Sequence, residues 1–300
     1  VTSSSTILAD IAADNRSGSA AILRKALAYL RSVADESRDA PFDNQREHIV
    51  DSARKLVEAQ PDMAQLYNLA SAVIASVRSH SSLSGDSSAV VRKVLDEYAR
   101  DEELAVERAV ALAGRLISEG QTILTISNSS LVRETILRHP KRTSLTVVIP
   151  ESRPMSEGVL LAQSLDSQGI RTILTTDFAA TTYVKNSDVF VCGADAVSKD
   201  HVVNKVGTGV LADLAKQLNK KTVAVFTSSK IIRDDLRKPS PRHRPGEEIT
   251  TIRLCTGNVE NIYFELCPLI SFTHLVSDRN IYTADMLKAE ISKQPPLTLQ

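Results

Sequence analysis

The sequence predicts an α/β protein in two domains, helical over 1–118 and built on a parallel sheet over 119–300. Three observations predict it. Apolar residues recur at helical spacing through almost all of the first part. After Gly120, short β-rich apolar runs alternate with helical segments, as in a parallel sheet covered on both faces. Those runs then end in polar residues, where ligands bind in open sheets of this kind.

The helices come first. "SAAILRKALAYLRSVADES" puts Ile22, Leu23, Ala26, Leu27, Leu30 and Val33 on one stripe, and "PFDNQREHIVDSARKLVEA" does the same with Ile49, Val50, Ala53, Leu56 and Val57. Pro61 reads as the first turn of the helix in "PDMAQLYNLASAVIASVRS". After the polar stretch "SHSSLSGDSS", Asp86 or Ser87 caps a long helix that reaches "LAGRLI". These stripes read as packing between helices rather than as a cofactor face.

Five strands follow: "TILTIS" at 122, "SLTVVIP" at 144, "IRTILTT" at 170, "SDVFVC" at 187 and "KTVAVF" at 221. The segments "SSLVRETILRH", "EGVLLAQSLDS", "TYVKN" and "GVLADLAKQLN" read as the helices between them, which makes the second domain Rossmann-like. "RKPSPRHRPGEE" is a basic, proline-rich loop, a solvated segment or a contact surface. "NIYFELCPLISFTHLVS" reads as a last strand and helix.

Composition narrows the function classes. Lys plus Arg equals Asp plus Glu, 36 each, so no global charge favours nucleic acid or an anionic membrane. Tryptophan is absent, which argues against a base-stacking platform. Cys192, Cys255 and Cys267 are an odd number without CxxC spacing, so neither a disulfide framework nor a metal site is expected. No apolar run reaches about eighteen residues and the first residues do not read as a secretory leader. A cytoplasmic protein without a cofactor is the expectation.

The chemistry gathers at the strand ends. Ser127, Asn128 and Ser129 follow the first strand and open a helix, as an anion-binding corner or as simple capping. The second strand delivers Glu151 and Arg153; Arg153 suits bidentate phosphate recognition or a structural pair with Glu151. The third and fourth end at Asp177 and Asp195. In "VCGADAVSKDHVVNKVGTG", Asn204 and Lys205 precede Gly207, Thr208 and Gly209, so a phosphate there would meet an ammonium, a hydroxyl and a helix N-terminus together. The order is not that of a Walker A loop.

That stretch resembles the GAD…NKxGT signature of the translation initiation factor 2B alpha/beta/delta family, which also holds isomerases of methylthioribose 1-phosphate and ribose 1,5-bisphosphate. "IPESRPMSEGVLLAQSL", "DFAATTYV", the closing "NIYFELCPLISFTHLVSDRNIYTADML" and the opening "IAADNRSGSAAILRKALAYL" are similar to family segments in the same order. The resemblance implies dimerisation through the Rossmann-like domain, or hetero-oligomers with related subunits, and admits initiation factor 2 as a partner. It implies a phosphorylated small-molecule ligand held by Asn204 and Lys205, with an N-terminal contact near Arg16, Ser17 and Gly18. In the isomerase branch the acid is the Asp of GAD, here Asp195, and the pattern after the first strand carries a His and a catalytic Cys. Here Ile126 and Ser127 stand at those places. A serine without a base is a poor substitute for a thiol. His139, at the far end of the following helix, does not supply one. "SNSSLVRETIL" instead looks like the non-enzymatic branch, the regulatory subunits of a guanine nucleotide exchange factor; the alternative is a sugar-phosphate isomerase using Asp195.

Overall fold

The structure, a computed structural model, describes residues 3–14, 17–79, 86–232, 243–294 and 299. Helices α1 (Ser4–Ala13), α2 (Ser19–Glu36), α3 (Phe42–Ala59), α4 (Ala64–Ser79) and α5 (Ser87–Gly114) come first. Two compact units divide the chain, 1–104 with 229–237 and 295–300 in one and 105–228 with 238–294 in the other, so α5 is divided between Leu104 and Ala105. The reason is packing: Ala109, Val110 and Ala113 of α5 belong to the core of the second unit.

In the helical unit the stripes bury as their spacing predicts. Ile22, Ala26, Leu30 and Val33 of α2 join Ile49, Ala53 and Leu56 of α3 in one core. Gln60, just past α3, is buried and donates to the carbonyls of Ile11 (2.9 Å) and Asp14 (2.8 Å), closing the end of α1. Asp86 caps α5 by accepting from the Ser88 N–H at 2.9 Å. Pro61 falls in a turn ahead of α4 rather than in its first helical turn.

The second unit continues with β1 (Thr122–Leu124), α6 (Ser130–Leu137), β2 (Thr146–Pro150), α7 (Glu157–Asp166), β3 (Arg171–Thr175), α8 (Ala180–Tyr183) and β4 (Val189–Cys192). Next come β5 (Ala196–Val197), β6 (His201–Lys205), α9 (Thr208–Gln217) and β7 (Lys221–Val225). It closes with β8 (His243–Arg244), β9 (Asn261–Ile262), β10 (Phe264–Pro268), β11 (His274–Val276), β12 (Ile281–Tyr282) and α10 (Ala284–Ser292). The main sheet runs β12-β11-β7-β4-β1-β2-β3, parallel throughout except for β12. All five strands of the α/β alternation are present. In β1, β2, β4 and β7 the Val, Ile and Leu side chains are buried on both faces, Ile123, Val147 and Val189 on one and Leu124 and Val148 on the other, while the edge strand β3 leaves Leu174 exposed.

Two stretches differ from the sequence reading. "NIYFELCPLISFTHLVS" forms β9, β10, a single 3-10 turn and β11, with no α-helix until α10. Its period-2 alternation belongs to β10, the edge of a small antiparallel sheet ordered β10-β6-β5. "DAVSKDHVVNK", which the sequence reading assigned to no element, is a hairpin, and Lys205 ends its second strand. Among the described residues no helix is long and apolar enough to cross a membrane.

Order reverses between β1 and β4, where the chain first builds outward to β2 and β3 and then returns to the other side. The crevice outside the carboxyl ends of those two strands is the topological switch point. Two glycines let backbone crowd into it. A Cβ on Gly158, in the first turn of α7, would lie 1.9 Å from the Pro150 carbonyl oxygen of β2. One on Gly193, just past β4, would lie 2.4 Å from Ser129 Oγ. The first obstacle is a backbone carbonyl; the second includes Ser129 Cβ at 2.7 Å, which no rotamer change moves, so the start of α6 must give way. Gly158→Ala is expected to cost about 3 kcal/mol and Gly193→Ala about 2 kcal/mol. Equilibrium denaturation of the two variants checks the ranking.

Candidate functional site

The site is built where β1, β2, β4 and β6 end. After β1 the chain turns sharply at Ser127, whose φ of 65° is left-handed. Ser152 (φ 65°) and Ser156 (φ 56°), in the loop after β2, are left-handed as well. Each conformation costs about 1–2 kcal/mol for a residue with a Cβ, so partners must hold it. The Ser127 N–H donates to Ser152 Oγ at 2.9 Å. The N–H groups of Ser152 and Arg153 donate to the two carboxylate oxygens of Asp177, at 2.6 and 2.7 Å. Asp177, at the end of β3, therefore pins the loop that carries Arg153.

A buried ion pair lies at the centre. Lys205, the last residue of β6, has a side chain only 3% exposed, and its Nζ lies 2.9 Å from Glu157 Oε1. Glu157 opens α7, where the helix N-terminus favours a carboxylate, and Gly158 allows that N-terminus to sit against β2. The Ser127 hydroxyl donates to the same Oε1 at 3.2 Å. The other oxygen, Oε2, is buried without a hydrogen-bond partner, and the Lys205 ammonium meets Glu157 without making a directed hydrogen bond. On its other side the ammonium stands 5.1 Å from the centroid of the Tyr263 ring, and the Arg244 guanidinium stands 5.3 Å from the same centroid. The Tyr263 hydroxyl donates to Glu248, which also accepts from Asn261 Nδ2 at 2.8 Å. Burial first, and the Glu248 bond second, push the phenol well above its ordinary range, so Tyr263 stays neutral.

Behind Lys205, Asn204 is buried and donates to Thr208 Oγ1 at 2.9 Å, and Thr208 donates to the Lys205 carbonyl at 2.6 Å. The N-terminus of α9 already holds an anion: Glu265 Oε1 accepts from the N–H groups of Gly207 (2.8 Å) and Gly209 (2.9 Å). The corner expected to meet a phosphate is thus filled by a carboxylate of the protein itself.

The remaining predicted residues fall as follows. Asn128 lies in the turn after β1, and Ser129 is the N-cap of α6, its side chain accepting from Val132 N. Arg153 is exposed and donates to the Ile249 carbonyl at 3.3 Å. Asp195 is partly buried beyond β4, its N–H bonded to the Val203 carbonyl at 2.9 Å across the β5–β6 hairpin. Ser17 and Gly18 lie in the helical unit, Gly18 as the N-cap of α2 and Ser17 donating its N–H to Asp14 at 2.9 Å. Arg16 lies outside the described residues, as do residues 237–242, the first half of the basic loop. His139 is buried away from this corner, with one ring nitrogen 3.3 Å from the Ile117 carbonyl and the other accepting from Lys141 N.

Sequence reasoning missed Glu157, Tyr263 and Glu265. Glu157 stands in "ESRPMSEG", and a carboxylate beside a glycine at the start of a helix is a signal of sorts. Glu265 reaches α9 only because β10 pairs with β6 in the register Glu265 to Asn204, which no local pattern reveals. Among the described residues no cluster of three His, Cys, Asp or Glu could hold a metal. Cys192 is fully buried, and burial pushes its thiol well above the ordinary range; Cys267 is buried and raised in the same way.

Comparison with known proteins adds the lineage. The profile of the Initiation factor 2 subunit family matches residues 15–281. A Pyrococcus furiosus protein named as eIF-2B subunit 2-like is 35% identical over 169 residues, 55% of this chain and 58% of that one. Ribose 1,5-bisphosphate isomerase of Archaeoglobus fulgidus is 29% identical over 202 residues, 67% of this chain and 63% of that one. The crystal structure of translation initiation factor eIF-2B from Pyrococcus horikoshii superposes with a TM-score of 0.80 at 22% identity, over 94% of this chain and 98% of that chain. The fold is therefore theirs, and the chain belongs to the Initiation factor 2 subunit family.

Proposed function

We propose that this chain is a regulatory-type member of the family, one that binds a phosphorylated sugar or nucleotide and acts through protein contacts without strong catalysis of its own. One observation carries the reading. Where the isomerase branch has its catalytic thiol, this chain has Ser127, hydrogen-bonded to a carboxylate that an ammonium already neutralises. That carboxylate is therefore already engaged by the ammonium where the hydroxyl meets it. The two buried cysteines supply no thiolate. The isomerase reading keeps one supporting observation, Asp195 beyond β4 at the switch point, next to a relative named as an isomerase.

Protein contacts would run through the α/β unit. Leu266 on β10 and Ile270 after it are exposed apolar side chains in the segment whose resemblance implies a subunit interface. A homodimer, or a hetero-oligomer with related subunits, would cover them, and a guanine nucleotide exchange factor acting on initiation factor 2 is the assembly that fits.

Three outcomes are expected. Sugar phosphates or nucleoside monophosphates raise the unfolding temperature, with about 2.7 kcal/mol of stabilisation at a hundredfold excess over Kd. Lys205→Ala abolishes that rise; no rise with any of them at millimolar concentration removes the ligand from the proposal. Sedimentation at low micromolar concentration gives a species of about twice 32.6 kDa, and a monomer alone overturns the assembly. Turnover of ribose 1,5-bisphosphate or methylthioribose 1-phosphate stays at background. Substantial turnover that disappears in Asp195→Asn promotes the isomerase reading instead.

A further inference from the structure

Away from the crevice, a cleft of about 470 Å³ opens within the α/β unit, between the last two turns of α5 and the end of α6. That volume is ordinary for a small-molecule site. Both walls are helix faces. Glu107, Ala111 and Arg115 recur at every fourth residue along α5 and its end, with Gly114 beside them, and Thr135, Arg138 and His139 keep the matching spacing on α6. Because α5 leads into β1 and α6 leads back towards β2, the cleft lies at the amino-terminal ends of the strands. The eight residues of α6, about 12 Å, separate it from Ser129 and the crevice.

Gly114 holds the space open. A Cβ added there would meet nothing within 4 Å, and its φ is not left-handed, so neither a neighbour nor the backbone requires glycine. Alanine would favour the helix more. The floor offers a ligand apolar surface, because its polar groups are spent within the chain. The Thr135 hydroxyl donates to the Leu131 carbonyl at 2.7 Å, and the two ring nitrogens of His139 are taken by the Ile117 carbonyl and the Lys141 N–H. The His139–Ile117 contact also brings the ends of the two helices together, so the exposed Arg115 and Arg138 share one end of the cleft. Arg138 keeps Glu134 at 3.3 Å, while among the described residues no carboxylate pairs with Arg115. Glu107 stands two turns away along α5, about 12 Å. Arginine at a helix end is ordinarily explained by the dipole. That explains the charge but not the space beside it.

We propose that this cleft is a second small-molecule site, for a planar apolar ring system that carries one carboxylate. The rings lie over Ala111 and Gly114, and the carboxylate meets Arg115 and Arg138. A guanidinium suits both parts, since it stacks on flat rings and grips a carboxylate through two parallel hydrogen bonds. Glu107 at the far end selects against a second negative group there. The inference is independent of the phosphorylated ligand proposed for the crevice.

The test is fluorescence titration of the full chain with 2-naphthoate and with its neutral counterpart, 2-naphthamide; the chain has no tryptophan to mask the signal. The variants are Gly114→Phe, which fills the cleft, and the double variant Arg115→Gln/Arg138→Gln. Thermal unfolding checks that each folds, and Ala111→Phe on the same wall replaces Gly114→Phe if that one does not. The wild type should bind 2-naphthoate saturably with a Kd of about 1 mM or tighter, the range a ligand of that size reaches. It should bind the amide at least about threefold more weakly. Gly114→Phe should lose saturable binding of both compounds while keeping its unfolding temperature. The double variant should bind the two alike. No saturable binding by the wild type, binding that survives the phenylalanine, or equal binding of amide and carboxylate by the wild type overturns the inference. A Gly114→Phe variant that instead changes the sedimentation of the protein would make the cleft a seat for a second copy, and would overturn it too.

Discussion

An ammonium buried at the end of a strand needs a counter-charge, and the architecture around Lys205 follows from that need. Removing one partner of a buried ion pair typically costs about 3–5 kcal/mol, more than most single contacts contribute. The pair with Glu157 requires α7 to begin directly over the end of β2, which requires Gly158, because any Cβ there would collide with the Pro150 carbonyl. The ring of Tyr263 covers the other side of the ammonium, and Glu248 and Asn261 hold that ring in place. Loops from three separate crossovers are thus tied to one charge.

Backbone strain is concentrated at the same corner. Ser127, Ser152 and Ser156 all occupy the left-handed region. Serine can be held there because its hydroxyl and the neighbouring amides find partners: Ser152 Oγ receives the Ser127 amide, and Asp177 receives the next two amides of the β2 loop. Hydrogen bonds offset the strain, charge-assisted where Glu157 takes the Ser127 hydroxyl and Asp177 the Ser152 and Arg153 amides, so the loops carry side chains in fixed positions. Fixed side chains are what discrimination between similar ligands requires.

How much of this was legible in the sequence depends on the range of the interaction that decides it. Local periodicity set the helices and the five strands of the parallel sheet, since two-sided burial imposes continuous runs such as those ending at Leu124 and Cys192. It misread 261–277, where an apolar run of short strands and a 3-10 turn has no period long enough to separate it from a helix. At the site, Ser127, Asn204 and Lys205 were legible because each lies within a few residues of a strand end. Glu265 was not, because it meets Gly207 and Gly209 across a β10–β6 register separated by some sixty residues of chain. Glu157 was overlooked for a different reason. A glutamate at a helix start has an ordinary explanation in the helix dipole, and only the position of Lys205 in space gives it a second role.

That second role bears on how one fold can carry both binders and isomerases. In this chain Asp195 follows β4 at the switch point of the sheet. What sets this chain apart from the isomerase pattern is Ser127 after β1 and the carboxylate that faces it. With a thiol there, a proton acceptor or donor near neutral pH is built in. Here Ser127 instead bonds to a carboxylate that also pairs with Lys205, so its hydroxyl is already engaged by Glu157. On the reading proposed above, binding needs only complementary donors and acceptors, whereas moving a proton between carbons needs a second group that can give it up and take it back.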